Sequence, residues 1–97
     1  MNTSIAFQTD TEIMERIGGR LRRLRRAQEW TVAAVAERTE LNPSTIARAE
    51  SGQNPTLLTL TRLLRCYGAL GSLEEFIPEP AVSPIRAAEA RRKEARG

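Results

Sequence analysis

Apolar and polar positions follow one another with the period of a helix in five successive segments of the chain. In the first segment, apolar side chains recur three or four residues apart on one helical face, at Ile13, Ile17, Leu21 and Leu24. Thr9 precedes this segment and Glu12 lies three residues further on, which is the spacing of a capping box. The pattern predicts a first helix over about residues 10–28.

Each of the next four segments begins with a helix start signal. The signals are N-cap residues, one followed by proline at the first helical position and one paired with a glutamate: Thr31, Asn42-Pro43, Thr56, and Ser72 with Glu75. Gly52 ends the third helix as a left-handed cap, and Gly68 stops the fourth. These signals predict helices over residues 32–38, 43–51, 57–67 and 72–77.

The apolar faces of these helices must supply the core, because the chain has few aromatic residues and no long β-branched run. The predicted inward positions are Val35, Ala36, Ile46, Ala49, Leu57, Leu60, Leu63, Leu64 and Tyr67, with Trp30 closing the turn after the first helix. Gly18 and Gly19 lie mid-helix at a cost of about 1–2 kcal/mol relative to alanine, which suggests close packing of another backbone. The predicted fold class is all-α, with five helices.

Segments at the two ends fall outside this pattern. We expect an N-terminal arm over residues 1–9, a helical domain over 10–78, and a basic tail rich in Pro, Ala and Arg over 79–97. The stretch from Ser83 to Arg96 is helix-prone but has almost no apolar face beyond Ile85. A helix with nothing to bury is marginal in water, so we expect this tail to be flexible until it binds something.

Composition excludes several classes of function. The chain has one cysteine and no histidine, so a disulfide within the chain, a Cys/His zinc site and a His-dependent nucleophile are all absent. No phosphate-binding glycine loop or carboxylate pair stands out, and Cys66 is predicted to be a buried, inert thiol. We therefore expect no enzyme, cofactor or metal site. No apolar run is long enough to span a bilayer and no secretory signal is evident, so cytoplasm is the default location.

Charge is distributed unevenly along the chain. The formal net charge is +3. Residues 13–71 carry ten Arg against five Glu, residues 72–80 carry three Glu, and residues 81–97 carry five basic residues against two Glu. A basic body and a basic tail fit a polyanionic partner, although a solvated surface explains the same charges.

Several short motifs occur in order between residues 13 and 77. They are Ile17-Gly18, Leu21-x-x-Leu24-Arg25, Trp30-Thr31, Val35-Ala36-Glu37, Leu41-Asn42-Pro43-Ser44-Thr45-Ile46, Glu50-x-Gly52, Asn54-Pro55-Thr56 and Leu60-x-x-Leu63-Leu64. With this spacing the chain resembles the Cro/C1-type (Xre) helix-turn-helix regulators. The resemblance implies a lambda-repressor-like domain that binds double-stranded DNA.

The resemblance also implies roles for individual residues. Base readout falls to the exposed positions of the third helix, Ser44, Thr45, Ala47 and Arg48, with Arg48 suited to the N7 and O6 of guanine. DNA-backbone contacts fall to Asn42, Gln53, Asn54 and Thr56, although Thr56 also serves as a cap, and to the arginines of the first helix, Arg20, Arg22, Arg23 and Arg26. A solvated face explains these arginines equally well. Arg25 and Glu50 correspond to a structural ion pair of the family.

Three positions depart from the family pattern. Val32 replaces a phosphate-binding glutamine that often begins the second helix, and Pro43 replaces a base-reading glutamine that often begins the third. Glu40 occupies the turn position that usually holds glycine, so it must adopt a less favourable conformation if its φ is positive. The operator therefore cannot be carried over from relatives.

Two partners other than DNA are also expected. Leu73, Phe76 and Ile77 in the fifth helix are predicted to form a homodimer interface, helped by Ile5 and Phe7 of the arm, and the dimer would act as a repressor. The tail resembles the C-terminal extension of HipB-like antitoxins, which implies a HipA-like toxin partner as an alternative principal role. A disordered tail and a DNA-backbone arm remain further alternatives.

Overall fold

The computed structural model describes residues 5–81 and, in the tail, residues 85, 89, 91 and 92. Residues 5–81 form five α-helices and no strand, which confirms the predicted all-α fold. The helices are α1 (Asp10–Ala27), α2 (Val32–Thr39), α3 (Pro43–Glu50), α4 (Leu57–Cys66) and α5 (Ser72–Phe76). Each boundary lies within one residue of its prediction.

The predicted caps begin the first four helices. The hydroxyl of Thr9 accepts the Glu12 amide at 3.1 Å, and the Glu12 carboxylate accepts the Thr9 amide at 3.4 Å, completing the capping box. N-cap side chains also accept amides at the starts of the next three helices: Thr31 from Ala34, Asn42 from Ser44, and Thr56 from Thr59. Each bond satisfies an amide that has no partner within its helix.

The capping box predicted at Ser72 and Glu75 is wrong. Gly71 is the N-cap of α5, has helical dihedral angles, and is accompanied by no side-chain cap bond. Carbonyl groups of the preceding turn already accept the first amides of α5: the amide of Ser72 donates to the carbonyl of Ala69 at 3.1 Å. Ser72 is therefore inside the helix and not in the extended conformation that a capping side chain requires.

The core forms where α1, α2, α3 and α4 meet. Its buried apolar residues are Leu21, Val35, Ile46, Ala49, Leu63 and Tyr67. Ile17, Leu24, Trp30, Ala36, Leu60 and Leu64 pack against this cluster while partly buried. Leucine, isoleucine and valine thus supply most of the interior, as the pattern predicted.

Leu57 is an exception, because 58% of it is exposed although it was predicted to face inward. It lies on the same helical stripe as Leu60 and Leu64, one turn nearer the start of α4. Those two leucines line a groove between α1, α4 and α5, whereas Leu57 does not. The apolar stripe of α4 therefore begins one turn before the part of the helix that lies beside α1 and α5.

The two mid-helix glycines differ in their surroundings. A Cβ on Gly18 would lie 2.5 Å from the carbonyl oxygen of Glu50 and 2.6 Å from that of Ala49. A Cβ on Gly19 would meet only the guanidinium tip of Arg23, at 3.4 Å. The predicted close approach of a second backbone is thus confirmed at Gly18, where α1 crosses the end of α3, and wrong at Gly19.

The chain ends are partly described. Ile5–Phe7, predicted to belong to a loose arm, form one exposed 3-10 turn closed by a 3.1 Å bond from the amide of Gln8 to the carbonyl of Ile5. Most of the predicted last helix and its expected flexibility lie outside the described residues. The four tail residues that are described, Ile85, Glu89, Arg91 and Arg92, are helical and exposed.

Candidate nucleic-acid interface

A tight turn between α2 and α3 sets the angle at which α3 leaves the core. Glu40 has φ 60° and ψ 19°, which is the left-handed conformation expected to be unfavourable for a residue other than glycine. The buried hydroxyl of Thr39 donates to the carbonyl of Val35 at 2.7 Å and accepts the amide of Leu41 at 3.3 Å. These bonds hold the turn on both sides of Glu40 and offset the strain.

The two sides of α3 have opposite environments. Ile46 and Ala49 are fully buried against the core. On the other side Ser44, Ala47 and Arg48 are exposed, and Thr45 is half-buried. Because one side is fixed by packing, the polar edge projects outward at a defined angle.

Thr45 and Arg48 of this edge line a cleft of about 160 Å³ between α3, the following loop and the first turn of α4, whereas Ser44 and Ala47 do not. The lining brings together predicted base-reading and backbone-contacting residues: Thr45, Arg48, Gln53, Asn54 and Thr56. The loop turns sharply, with φ 77° at Gly52 and φ 41° at Asn54, and the amide of Gln53 donates to the carbonyl of Arg48 at 2.9 Å. A guanidinium, amides and hydroxyls at one opening are suited to phosphates and base edges.

A second constraint on α3 is an ion pair at its end. The guanidinium of Arg25 donates to both carboxylate oxygens of Glu50, from Nε at 2.7 Å and from Nη2 at 2.9 Å. Its Nη1 donates to the carbonyl of Trp30 at 2.9 Å. Hydrogen bonding to Glu50 raises the pKa of Arg25 above its ordinary value, so the guanidinium stays charged. These bonds join α1, α3 and the turn before α2.

Residues 16–76, which are 61 of the 97 residues, match a family described as a helix-turn-helix domain. The chain belongs to the helix-turn-helix family. Membership of this family supports DNA binding by the chain. Comparison with curated proteins and with solved structures found no match. Assignment to the Cro/C1 type or to HipB-like antitoxins therefore remains a prediction.

Asn42 and Ser44 have structural partners within the helix-turn-helix. The side-chain oxygen of Asn42 accepts the amide of Ser44 at 3.2 Å and its hydroxyl at 3.1 Å. Asn42 is not part of the lining of the cleft. The side-chain NH₂ of Asn42 can therefore donate a hydrogen bond to DNA, and the Ser44 hydroxyl can accept one from it.

None of the four α1 arginines predicted to contact the DNA backbone lines the cleft. Arg23 and Arg26 are exposed, and neither lines the cleft. At about 100° per residue, Arg23 lies about 200° around the helix from Arg25, on the side opposite α3. Arg22, which belongs to the same predicted set, is nearer to α3, with its Nε 4.0 Å from the Glu50 carboxylate.

Sequence reasoning missed a small aromatic cluster behind the motif. The guanidinium of Arg38 lies 4.5 Å from the ring centroid of Trp30, and the Trp30 and Tyr67 rings are 6.2 Å apart. The hydroxyl of Tyr67 is buried and has no hydrogen-bond partner in the described part of the chain. Burial, with a smaller contribution from Glu50, raises the pKa of Tyr67 to about 12. Helical periodicity gives no signal for this cluster, because Trp30 lies in the turn between α1 and α2, outside any helix.

Cys66 differs from its predicted burial. It is half-buried and lines an open groove near the ends of α2 and α4. Burial nevertheless raises the pKa of its thiol, so the protonated form dominates at neutral pH. The reason for the difference is position, because Cys66 is the last residue of α4 and lies at the edge of the core.

Apolar surface gathers around α5. Leu73 is half-buried, whereas Phe76 and Ile77 are 55% and 70% exposed. Leu73 and Phe76 border the groove of about 220 Å³ between α1, α4 and α5, which Ile17, Leu60 and Leu64 also line.

In the part of the chain that the structure describes, none of the helices combines the length and the apolar character that a membrane span requires.

Proposed function

We propose that the protein is a transcriptional repressor that binds a two-fold operator as a homodimer and reads its sequence with α3. The observation that carries this proposal is the cleft, where the exposed edge of α3 meets the loop 53–56 while the opposite face of α3 is buried. Major-groove recognition requires such a helix, fixed on one side and polar on the other.

Arg48 is the principal base-reading residue in this proposal. It is exposed, lies past the middle of α3 and borders the cleft. A guanidinium can donate to N7 and O6 of guanine together, which gives more discrimination than a hydroxyl can. Thr45 and Ala47 contact thymine methyl groups, and the Ser44 hydroxyl accepts a hydrogen bond from a base edge near the start of the helix.

Phosphates hold the helix in register. Gln53, Asn54 and Thr56 contact the backbone beside the groove, and Asn42 contributes its amide group. Arg23 and Arg26 add attraction to the backbone at longer range. The Thr56 hydroxyl accepts the Thr59 amide at 3.1 Å and donates to the Thr59 hydroxyl at 3.0 Å, so its first role is to cap α4.

The dimer forms through α5. Phe76 and Ile77 offer exposed apolar surface beside the half-buried Leu73, and a core this small does not cover it. Two copies on one face of the duplex place their α3 helices about one DNA turn apart, roughly 34 Å. Repression then results from steric exclusion of other proteins from the site.

The first experiment selects a binding site from random duplexes and then compares Arg48→Ala with Arg16→Ala. Both variants lose one exposed positive charge, but Arg16 lies on α1 and does not line the cleft. We expect Arg48→Ala to weaken binding to the selected site by about 1–3 kcal/mol and to relax preference at one base pair. Equal losses on selected and random DNA would restrict Arg48 to phosphate contact and contradict its role in readout.

The dimer is tested by sedimentation of the wild type and of Phe76→Ser, with Leu58→Ser as the matched control. Leu58 is 59% exposed and lies on α4, outside the predicted interface. We expect the α5 variant to sediment as a monomer and to bind the operator more weakly. A wild type that is monomeric at micromolar concentration, both free and on operator DNA, excludes the dimer.

The antitoxin alternative depends on the tail. It predicts that truncation after Pro80 leaves operator binding intact and abolishes capture of a HipA-like kinase. If the truncated chain loses operator binding instead, the tail is a DNA-backbone arm.

A further inference from the structure

A second groove, of about 490 Å³, lies between the end of α2 and the end of α4. Three arginines and the only cysteine of the chain line it, together with two glutamates at the α2 side: Arg38, Arg62, Arg65, Cys66, Glu37 and Glu40. None of the three arginines forms an ion pair with any residue in the described part of the chain. The groove is thus a basic wall on α4 facing a mixed wall on α2.

The groove is separate from the proposed DNA-reading cleft. Thr59 in the first turns of α4 lines the cleft, whereas Cys66 at the end of the same helix lines the groove. The helix between them separates the two residues by about 10 Å along its axis. A ligand in the groove can therefore be present while α3 occupies DNA.

We propose that this groove docks an acidic segment of a partner protein, with two carboxylates bound by Arg62 and Arg65. These arginines are three residues apart on α4, so their Cβ atoms lie about 5–6 Å from each other on one face of the helix. Alternate residues of an extended chain on one face repeat at about 6–7 Å, which matches that separation. Guanidinium groups bind carboxylates through paired hydrogen bonds.

The mixed wall disfavours the other ligands that arginines attract. Glu37 and Glu40 repel a nucleic-acid backbone, whose charges are all negative, whereas a peptide can place neutral or basic side chains opposite them. A small anion would leave much of its surface in solvent, because Arg38, Arg65 and both glutamates are exposed. Small-molecule sites bury most of their ligand, so a segment lying along the groove fits better.

The test uses the full chain and a fluorescein-labelled peptide of Glu-Ser repeats, with a Gln-Ser peptide as the neutral control. Binding is measured by anisotropy for the wild type, for Arg62→Gln/Arg65→Gln, and for Arg16→Gln/Arg20→Gln, which removes two exposed arginines of α1. We expect the α4 double variant to bind the acidic peptide about tenfold more weakly and the α1 variant to change less than about threefold. Circular dichroism verifies that both variants are folded.

The thiol of Cys66 reports on where the peptide binds. Since it is the only cysteine, its alkylation by iodoacetamide should slow several-fold when the acidic peptide saturates the wild type. Operator binding by the α4 variant should stay within about twofold of wild type, so failure here is distinguishable from failure of the proposed DNA-binding function.

Any of four results would overturn the proposal. Equal weakening in both variants means general attraction to a basic protein. Unchanged alkylation of Cys66 places the peptide elsewhere. Loss of self-association in the α4 variant assigns the surface to a second copy of this chain. If no peptide binds, Arg38 and Arg65 serve only to complement the carbonyl ends of their helices.

Discussion

Gly18 lies where α1 touches the backbone of α3, and replacing it with alanine tests how closely these helices approach. The added Cβ would lie 2.5 Å and 2.6 Å from two carbonyl oxygens at the end of α3. To reach an ordinary contact of 3.4 Å, the two backbones must separate by about 0.9 Å. Neither carbonyl can rotate away, because both belong to the main chain.

The magnitude follows from two opposing contributions. Alanine favours the helix over glycine by about 1 kcal/mol. Overpacking a well-packed interface costs about 1–3 kcal/mol, and the value here should be near the top of that range because the contact is with backbone. We expect Gly18→Ala to lower the free energy of unfolding by about 2 kcal/mol net.

Gly19→Ala is the matched control, because it makes the same change one residue further along the same helix. Its Cβ would meet only the flexible tip of Arg23 at 3.4 Å, so the helix-propensity gain remains. We expect this variant to be more stable than the wild type by about 0.5–1 kcal/mol.

Urea unfolding, followed by the fluorescence of Trp30, measures both variants, since Trp30 is the only tryptophan and packs against the core. The two midpoints should move in opposite directions and differ by about 1 M or more. If both variants are stabilised, the helices are further apart than the structure has them and the reasoning is wrong. A stabilised Gly18→Ala alone leads to the same conclusion.

Three more predictions concern single side chains. Glu50→Ala should cost about 3 kcal/mol in urea unfolding, because it leaves the buried Arg25 without its carboxylate; a cost below about 1 kcal/mol would mean that the pair is not structural. Tyr67→Phe should be neutral or stabilising by up to about 1 kcal/mol at pH 7, because it removes an unpaired buried hydroxyl. Folding raises the pKa of Tyr67 from 10.0 to about 12, so the stabilisation that accompanies its protonated form is complete below about pH 10 and lost as the pH rises through about 12. The wild type should therefore lose about 2–3 kcal/mol more than Tyr67→Phe over that interval, and parallel stability curves would contradict this. Thr56→Ala should cost about 1 kcal/mol as a lost cap, whereas Ser72→Ala should change stability by less than about 0.5 kcal/mol, since only Thr56 accepts a cap bond; equal costs would restore the capping box at α5.

Helix positions could be predicted from the sequence because their signals are local. A cap side chain bonds to an amide two or three residues away, so Thr9, Thr31, Asn42 and Thr56 could be recognised without knowledge of the fold. The buried side of α3 followed in the same way from the three-residue spacing of Ile46 and Ala49. The prediction at Ser72 was wrong, although its local sequence fits a capping box, because the turn before it is already helical.

The candidate site could be anticipated only in part. The family resemblance indicated the exposed residues of α3 and the loop after it, and the structure gathers Thr45, Arg48 and Gln53 around one cleft. Arg23 does not line this cleft. The sequence could not show this, because a cluster of charges along the chain does not tell which side of α1 faces α3. The groove with Arg62 and Arg65 was not anticipated at all.

Local sequence was enough to set where each helix begins and ends and which α3 residues face inward, because those properties depend on neighbours within about one helical turn. Helix packing, in contrast, decided which glycine of α1 touches α3, that Leu57 is exposed, and that the ends of α2 and α4 enclose a basic groove. These features depend on the distances and angles between helices, which arise from contacts between side chains far apart in the chain.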